Sequence, residues 1–338
     1  MTTDSEITRP ASPQDIFRLG TAFCTSKILL TAIELGLFTG LDAGPATEQQ
    51  LRESHGLHPR ASKAFLDALV ALGVLTRQDG RYANGPTAGR HLVRGKPSYI
   101  GGFLERADRM LYPAWGHFTE ALLSGEPQVG SDFQAMTRDP AKLAGFLGMM
   151  DSLNGLLAPE LAGAFPWDAC ASVADIGGAR GNLVGNLVKR RPHLKGLVFD
   201  LPQMEPAFDD HMAALGVDGQ VSFVAGDFFA DPLPEADALI IGHVLHDWSE
   251  QERRMLVGKA FEAVSPGGAL LVYDRMVEEE PTDPDNLVIS LDMLLTTPGG
   301  AEYTPGACGS WLEEAGFTAV SHRPLGPSDT LVTGTKPA

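Results

Sequence analysis

Cysteine is scarce in this 338-residue chain: Cys24, Cys170 and Cys308 are the only three, and no two form a C-x-x-C pair. An odd count without paired spacing argues against a disulfide-stapled scaffold or a structural zinc site, and a reducing, cytoplasmic location is expected. Long apolar stretches are missing too, since no unbroken run approaches the roughly 18 residues of a membrane span. The opening MTTDSEITRP lacks the charged-then-apolar layout of a signal peptide. Basic residues are few, with 26 Lys and Arg against 43 Asp and Glu and a net charge of −17. The deficit is uneven. The first 100 residues hold 11 basic against 9 acidic side chains, and the remainder 15 against 34. So acidic a C-terminal two-thirds repels a phosphate backbone, and nucleic acid is not an expected partner. A cationic small molecule would be welcome there.

What is present fits a soluble globular protein of two domains, with 43% hydrophobic and 20% charged residues. Residues 12–40 carry apolar side chains at helical spacing. ATEQQLRESHG opens a second helix with Thr47 as its cap, and PRASKAFLDALVALGVL forms a third. LTRQDGRYANG then alternates around Asp79-Gly80, a two-residue hairpin signal. Helix, turn, helix and hairpin together make a winged-helix pattern. Its would-be recognition helix offers only Arg60 and Lys63, so dimerisation is expected of it rather than DNA binding. The apolar helical stretch PAKLAGFLGMMDSLNGLLAPELAGAF is expected to be buried between domains or across a dimer.

From residue 173 the texture changes. Seven short apolar runs (SVADIG, LKGLVFDL, VSFVAGD, DALIIGHVL, GALLVYDR, GFTAVSHRP and TLVTGTK) alternate with helical segments. Such alternation predicts an α/β domain with a mostly parallel sheet. Only RPLGPSD joins the last two runs, too short for a crossover helix, so they should pair antiparallel.

The first run ends in DIGGARG, a glycine-rich turn placed where open α/β sheets bind ligands. Gly177 and Gly178 permit turns that other residues resist, and Gly181 permits close packing. Asp200, ending the second run, is placed to accept hydrogen bonds from ribose hydroxyls. Asp227 in AGDFF is placed for an adenine amino group, with Phe228 against the ring. A pyrophosphate tolerates few acids nearby. Because Asp175, Asp200, Asp227, Asp247 and Asp274 all fall at or near strand ends, the sulfonium of S-adenosylmethionine suits the site better. After the fourth run comes GHVLHDWSE, in which His246 is a candidate base for deprotonating a hydroxyl. Asp274 and Glu302 are the acids that could hold its other nitrogen.

VADIGGARG, VFDLPQ, AGDFF, VLHDWSE and GGAEYT, in this order and spacing, resemble the S-adenosylmethionine-dependent small-molecule O-methyltransferases of plants and bacteria. The resemblance covers about residues 14–335. It implies a class I methyltransferase fold, a Rossmann-like seven-stranded sheet with antiparallel last strands. It also implies an N-terminal, helical winged-helix dimerisation domain over 1–105, a helical linker over 106–165 that contributes to acceptor pocket and dimer, and a catalytic domain over 166–338. By the same resemblance His246 is the general base flanked by Asp274 and Glu302. Gly177, Asp200, Asp227, Phe228 and Gly242 fall on cofactor positions; Phe146, Met150 and Met293 fall on the acceptor pocket. The implied partners are a hydroxylated aromatic natural product and a second copy of the chain, with no metal, nucleic acid or membrane.

Three departures stand out. Ala179 replaces the usual third glycine, and Asp274 replaces a usual Glu. Gly242 stands where plant members place a lysine, leaving a backbone group or His243 to serve the methionine end of the cofactor. Two other outcomes share these motifs: C-methylation of an α-keto acid, and a hydroxylase or decarboxylase that keeps the cofactor without using its methyl. The first would need a metal ligand that is absent, because no histidine lies between His246 and His322.

Overall fold

The computed structural model describes residues 10–96, 98–129, 137–281 and 284–338; the opening segment that was read for a signal peptide lies largely outside them. The chain divides into two compact units, Met1–Asp108 and Arg109–Ala338.

The first unit begins with α1 (Pro13–Gly20) and α2 (Ala22–Glu34), followed by the short α3 (Leu37–Gly40). Ser12 caps α1 by accepting from the Asp15 amide, and a proline at the first helical position helps start it. Thr47 and Gln50 form a reciprocal capping box at the start of α4 (Glu48–His55), as the sequence suggested. After α5 (Ser62–Ala71), strands β2 (Leu75–Gln78) and β3 (Arg81–Asn84) make the hairpin. Asp79 and Gly80 both take positive φ, 50° and 73°, as a two-residue turn of matching twist requires. A short strand β1 (Ala46–Thr47) adds to β3, completing a three-stranded sheet. Helices α6 (Pro86–His91) and α7 (Gly101–Arg106) close the unit over a core of Leu37, Phe38, Leu66, Leu69 and Tyr82. Two basic side chains near the hairpin, Lys63 and Arg77, both pair with Asp67.

Although no apolar run is unbroken, Pro13–Glu34 forms a helical stretch of 22 residues that by length and composition alone could cross a membrane, and little of it is buried. Its apolar residues are separated by Thr, Ser and Gly and by only four charged side chains. Ile16, Phe17, Leu19 and Phe23 are all exposed.

In the second unit, α8 (Tyr112–Trp115), α9 (Phe118–Ser124) and the 25-residue α10 (Pro140–Ala164) precede the sheet. The sheet is built from β4 (Ser172–Ile176), β5 (Lys195–Asp200), β6 (Val221–Ala225), β7 (Ala236–Gly242), β8 (Val264–Asp274), β9 (Thr318–Leu325) and β10 (Asp329–Thr335). Their order is β6-β5-β4-β7-β8-β10-β9, parallel except where β10 runs antiparallel to both neighbours. All seven apolar runs became strands. Period-2 alternation sorts their side chains: Val173, Ala238, Ile240 and Leu271 face one core, while Ala174, Leu239, Ile241 and Val272 face the other. Both faces are covered, which is why the strands read as continuous apolar runs. Helices α11 (Asn182–Arg190) and α12 (Glu205–Leu215) contribute to the first core, and α13 (Glu250–Ala263) and α15 (Pro305–Ala315) to the second. Helix α14 (Pro284–Thr296) packs against the turn at Leu245–Asp247.

Candidate active site

Strand order reverses between β4 and β7, and such a switch point opens a crevice at the carboxyl ends of the strands. On the β4 side lies the glycine turn. Gly177 and Gly181 have φ of +74° and +76°, and a Cβ on Gly177 would sit 2.9 Å from Val244 Cγ2. On Gly178 it would sit 2.7 Å from Asp175 Oδ2. Ala179 occupies the left-handed region at φ 50° without being glycine.

Asp200, at the end of β5, fastens this turn. Its Oδ2 accepts from the Ala179 amide and its Oδ1 from the Leu201 amide, both at 2.7 Å. Burial pushes its carboxyl up to about 6, against the pull of those amides. Asp175, wholly enclosed, is pushed up to about 7 by burial and by Asp200, and its Oδ2 has no hydrogen-bond partner. Beyond β6, Asp227 Oδ1 accepts from the Phe229 amide at 2.8 Å, which sets a tight local turn. Phe228, Phe229 and Trp248 meet edge-on, with Phe229 and Trp248 centroids 4.6 Å apart.

On the β7 side the chain turns sharply at His243, whose φ is 52°, and a short helical turn over Leu245–Asp247 presents His246. His246 Nδ1 lies 2.6 Å from Glu302 Oε1 and 3.5 Å from Asp274 Oδ1, while its Nε2 lies 3.8 Å from Asp247 Oδ1. Both Asp274 and Glu302 have side chains fully buried. Burial disfavours the imidazolium, but Asp274, Asp247 and Glu302 outweigh it and raise the His246 pKa to about 10. Burial in turn raises Asp274 to about 7, with His246 opposing. Asp274 Oδ1 and Glu302 Oε2 are buried and without hydrogen-bond partners, so the site carries unspent acceptor capacity.

The remaining candidates are distributed as follows. Phe146, on α10, packs against a cluster containing Ala179, so it lies beside the glycine turn. Met150 is half-buried one residue before Asp151, which forms a two-point ion pair with Arg180 of that turn, Arg180 Nε to Asp151 Oδ1 being 3.2 Å. Met293 is buried on α14, the helix that packs against the His246 turn. Gly242 is a packing position: a Cβ there would fall 2.0 Å from Tyr273 Cζ.

Sequence reasoning assigned no part to Tyr303 or Arg253, and offered His243 only for the methionine end of the cofactor. Tyr303 donates its hydroxyl to Asp274 Oδ2. His243 Nε2 lies 2.6 Å from Asp329 Oδ1, and its ring stacks on that of His246 at 5.8 Å. Arg253, buried on α13, donates to main-chain carbonyls beside the site. Tyr303 was in view within GGAEYT, next to Glu302; for Arg253 the sequence holds no local signal. Among the described residues no cluster of three or more His, Cys, Asp or Glu side chains has the arrangement of a metal site.

Residues 115–318 match the O-methyltransferase domain family, and residues 17–94 the O-methyltransferase dimerisation domain. The tetracenomycin polyketide synthesis 8-O-methyl transferase TcmO of Streptomyces glaucescens is 47% identical, with 98% of each chain covered. The N,N-dimethyltransferase OxyT of Streptomyces rimosus is 38% identical over 91% of each. Among solved structures, human N-acetylserotonin methyltransferase in complex with S-adenosylmethionine superposes with a TM-score of 0.90 at 26% identity, covering both chains fully.

Proposed function

The chain belongs to the O-methyltransferase family, and from that premise we propose that it methylates an aromatic hydroxyl of a small natural product with His246 as the base. S-Adenosylmethionine supplies a methyl group on a positively charged sulfur. The residues present suit that ligand: Gly177 and Gly178 leave backbone where any side chain would collide, and the buried acid of Asp175 keeps an unpartnered oxygen. Gly177, Asp200 and Asp227, with Phe228 alongside, would hold its adenosine part. Backbone around Gly242 and the turn at His243 would face its methionine end.

The observation that carries the reading is the 2.6 Å contact of His246 Nδ1 with Glu302, backed by Asp274. Given to carboxylates, Nδ1 keeps its proton and Nε2 is left as the acceptor of the hydroxyl proton. The three surrounding acids also stabilise the imidazolium that forms. A cation held in the same crevice opposes their field, which lets His246 be neutral before the hydroxyl arrives. Transfer then needs the oxygen in line with methyl and sulfur, and most of the acceleration is positional. Phe146, Met150 and Met293 are the side chains proposed to wall the acceptor, with the thioethers adapting to its shape.

We further propose that the N-terminal unit is a winged-helix dimerisation module, and that the functional enzyme is a cytoplasmic homodimer. Nothing found favours carbon methylation or a hydroxylase or decarboxylase activity. The 38% identical N,N-dimethyltransferase makes an amine acceptor the second reading. Incubation with methyl-labelled cofactor and a panel of phenols, aromatic amines and keto acids decides among them. His246→Ala should cut transfer by about 10²–10⁴-fold, the usual worth of a general base, with cofactor affinity changed only a few-fold. Full retained activity would remove His246 from that role.

A further inference from the structure

Seven residues after His246, helix α13 places an arginine whose side chain is buried beneath the site. Arg253 Nε donates to the carbonyl of Leu245 at 2.9 Å, and its Nη2 donates to the carbonyl of Ala301 at 2.5 Å. These are the residues immediately before His246 and Glu302. The guanidinium carbon lies 4.8 Å from the centroid of the Tyr303 ring and 5.7 Å from that of Trp311. Tyr303, in turn, gives its hydroxyl to Asp274.

We infer that Arg253 is the positioning residue of the site, a single guanidinium that sets His246 against Glu302 from behind and seats Asp274 through Tyr303. The inference rests on the base assignment made above. Two segments 55 residues apart meet here with few other ties. One is the Ala301 amide, which donates to the His246 carbonyl at 2.9 Å. Another is the absence of a side chain at Gly300, whose Cβ would lie 2.5 Å from that same carbonyl oxygen. Arg253 supplies a further tie, and its chemistry is specific. A planar fork donates in fixed divergent directions, so it can hold two carbonyls at a set separation; a lysine ammonium cannot reproduce that geometry.

Fold stability alone does not account for it. Among the described residues no carboxylate comes within ion-pair distance of Arg253; its charge is buried against carbonyl dipoles and ring faces, with Glu250 feeling it from farther off. An apolar side chain of similar volume would fill that space at lower desolvation cost. The arrangement is explained by what it holds in register.

The test compares wild type with Arg253→Met, Arg253→Lys and Arg253→Ala in the full-length protein, each checked for folding by thermal melt and for S-adenosylhomocysteine binding by calorimetry. Two readouts follow: kcat and KM on an acceptor found in the panel, and the Nδ1 proton resonance of His246 in protein labelled with nitrogen-15 histidine. Folded Arg253→Met and Arg253→Lys should lose about 100-fold in kcat, the scale of an ångström's misplacement, with cofactor KM within about threefold. The far-downfield Nδ1 proton expected for the short contact to Glu302 should move upfield or broaden. Ethylguanidinium should restore kcat in Arg253→Ala by about tenfold or more, and should do nothing for Arg253→Met, where the space is filled. If Arg253→Ala does not fold, the Met and Lys variants carry the decision. An Arg253→Met enzyme with near-normal kcat and an unshifted resonance overturns the inference. So does a loss of kcat with the resonance unmoved, because Arg253 would then act elsewhere than on His246. Activity surviving in His246→Ala would sink the base assignment, while the resonance would still report whether Arg253 holds the pair.

Discussion

At the scale of single residues, Asp200 shows how one side chain can serve fold and ligand together. Its two oxygens already take the amides of Ala179 and Leu201, which fixes the glycine turn. Each oxygen keeps a lone pair for a further donor such as a ribose hydroxyl. Asp200→Ala should therefore weaken cofactor binding by about 1.5–3 kcal/mol, the range for hydrogen bonds to a charged group. Asp200→Asn, which keeps one accepting oxygen, should fall between. Calorimetric titration with S-adenosylhomocysteine measures both, and unchanged affinity in Asp200→Ala would take the residue out of the site. Asp200 and Asp274 were legible because each ends a strand that the alternation of runs already located, and His246 because it follows one closely; Glu302, in the loop between α14 and α15, was legible only through the GGAEYT motif. Arg253 was not. It acts on main-chain carbonyls, and which carbonyls face a helix is a property of the folded chain that no local pattern encodes.

At the scale of elements, strand β7 ends on a residue whose identity looked like a loss of function and is a matter of packing. A lysine at 242 would serve a ligand in plant relatives, but here the ring of Tyr273 on β8 fills the place of the Cβ. Gly242→Lys should accordingly destabilise by about 1–3 kcal/mol or more through overpacking, without tightening cofactor binding. A melting curve with a parallel binding titration checks both halves; a stable variant that binds more tightly would refute the packing account. Strand number, alternation and the reversal of the last pair could all be read in advance, because period and loop length determine them. Neither strand order nor the neighbour that fills a glycine's empty side can be read that way. Helical spacing was legible over Pro13–Glu34, but not that Ile16, Phe17, Leu19 and Phe23 would be left exposed.

At the scale of the whole molecule, that exposed row and the matched dimerisation domain lead to an expected oligomer. Light scattering should report a dimer, and Ile16→Asp with Phe17→Asp should yield a monomer; a monomeric wild type would contradict the proposal. Charge makes a second molecular prediction. Asp175, Asp200 and Asp274 have folded pKa values near 7, 6 and 7, above the ordinary 3.8, so the folded chain holds protons that the unfolded chain has released. Their contribution is complete below pH 3.8 and is lost as pH rises toward 7. His246, raised to about 10 from 6.5, contributes fully below 6.5 and loses that contribution as pH climbs through 10. Asp237 and Asp329, both lowered, act the other way in strong acid, and His211, lowered by burial, does so as pH falls below 6.5. All four raised groups, with a net charge of −17, thus favour mildly acidic conditions. The melting temperature of the ligand-free protein should fall between pH 5 and pH 9, and a flat or rising profile would contradict this accounting.

The ion pair between Asp151 and Arg180 carries a kinetic consequence. Asp151 belongs to α10, the helix of Phe146 and Met150, and Arg180 belongs to the glycine turn, so the proposed acceptor wall and cofactor cradle are fastened as one piece. Whatever seats the turn also seats the wall, so the Michaelis constants of the two substrates should move together when either partner of the pair is replaced. Met293, on a helix outside that linkage, is then the position at which acceptor preference can drift while cofactor kinetics stay put.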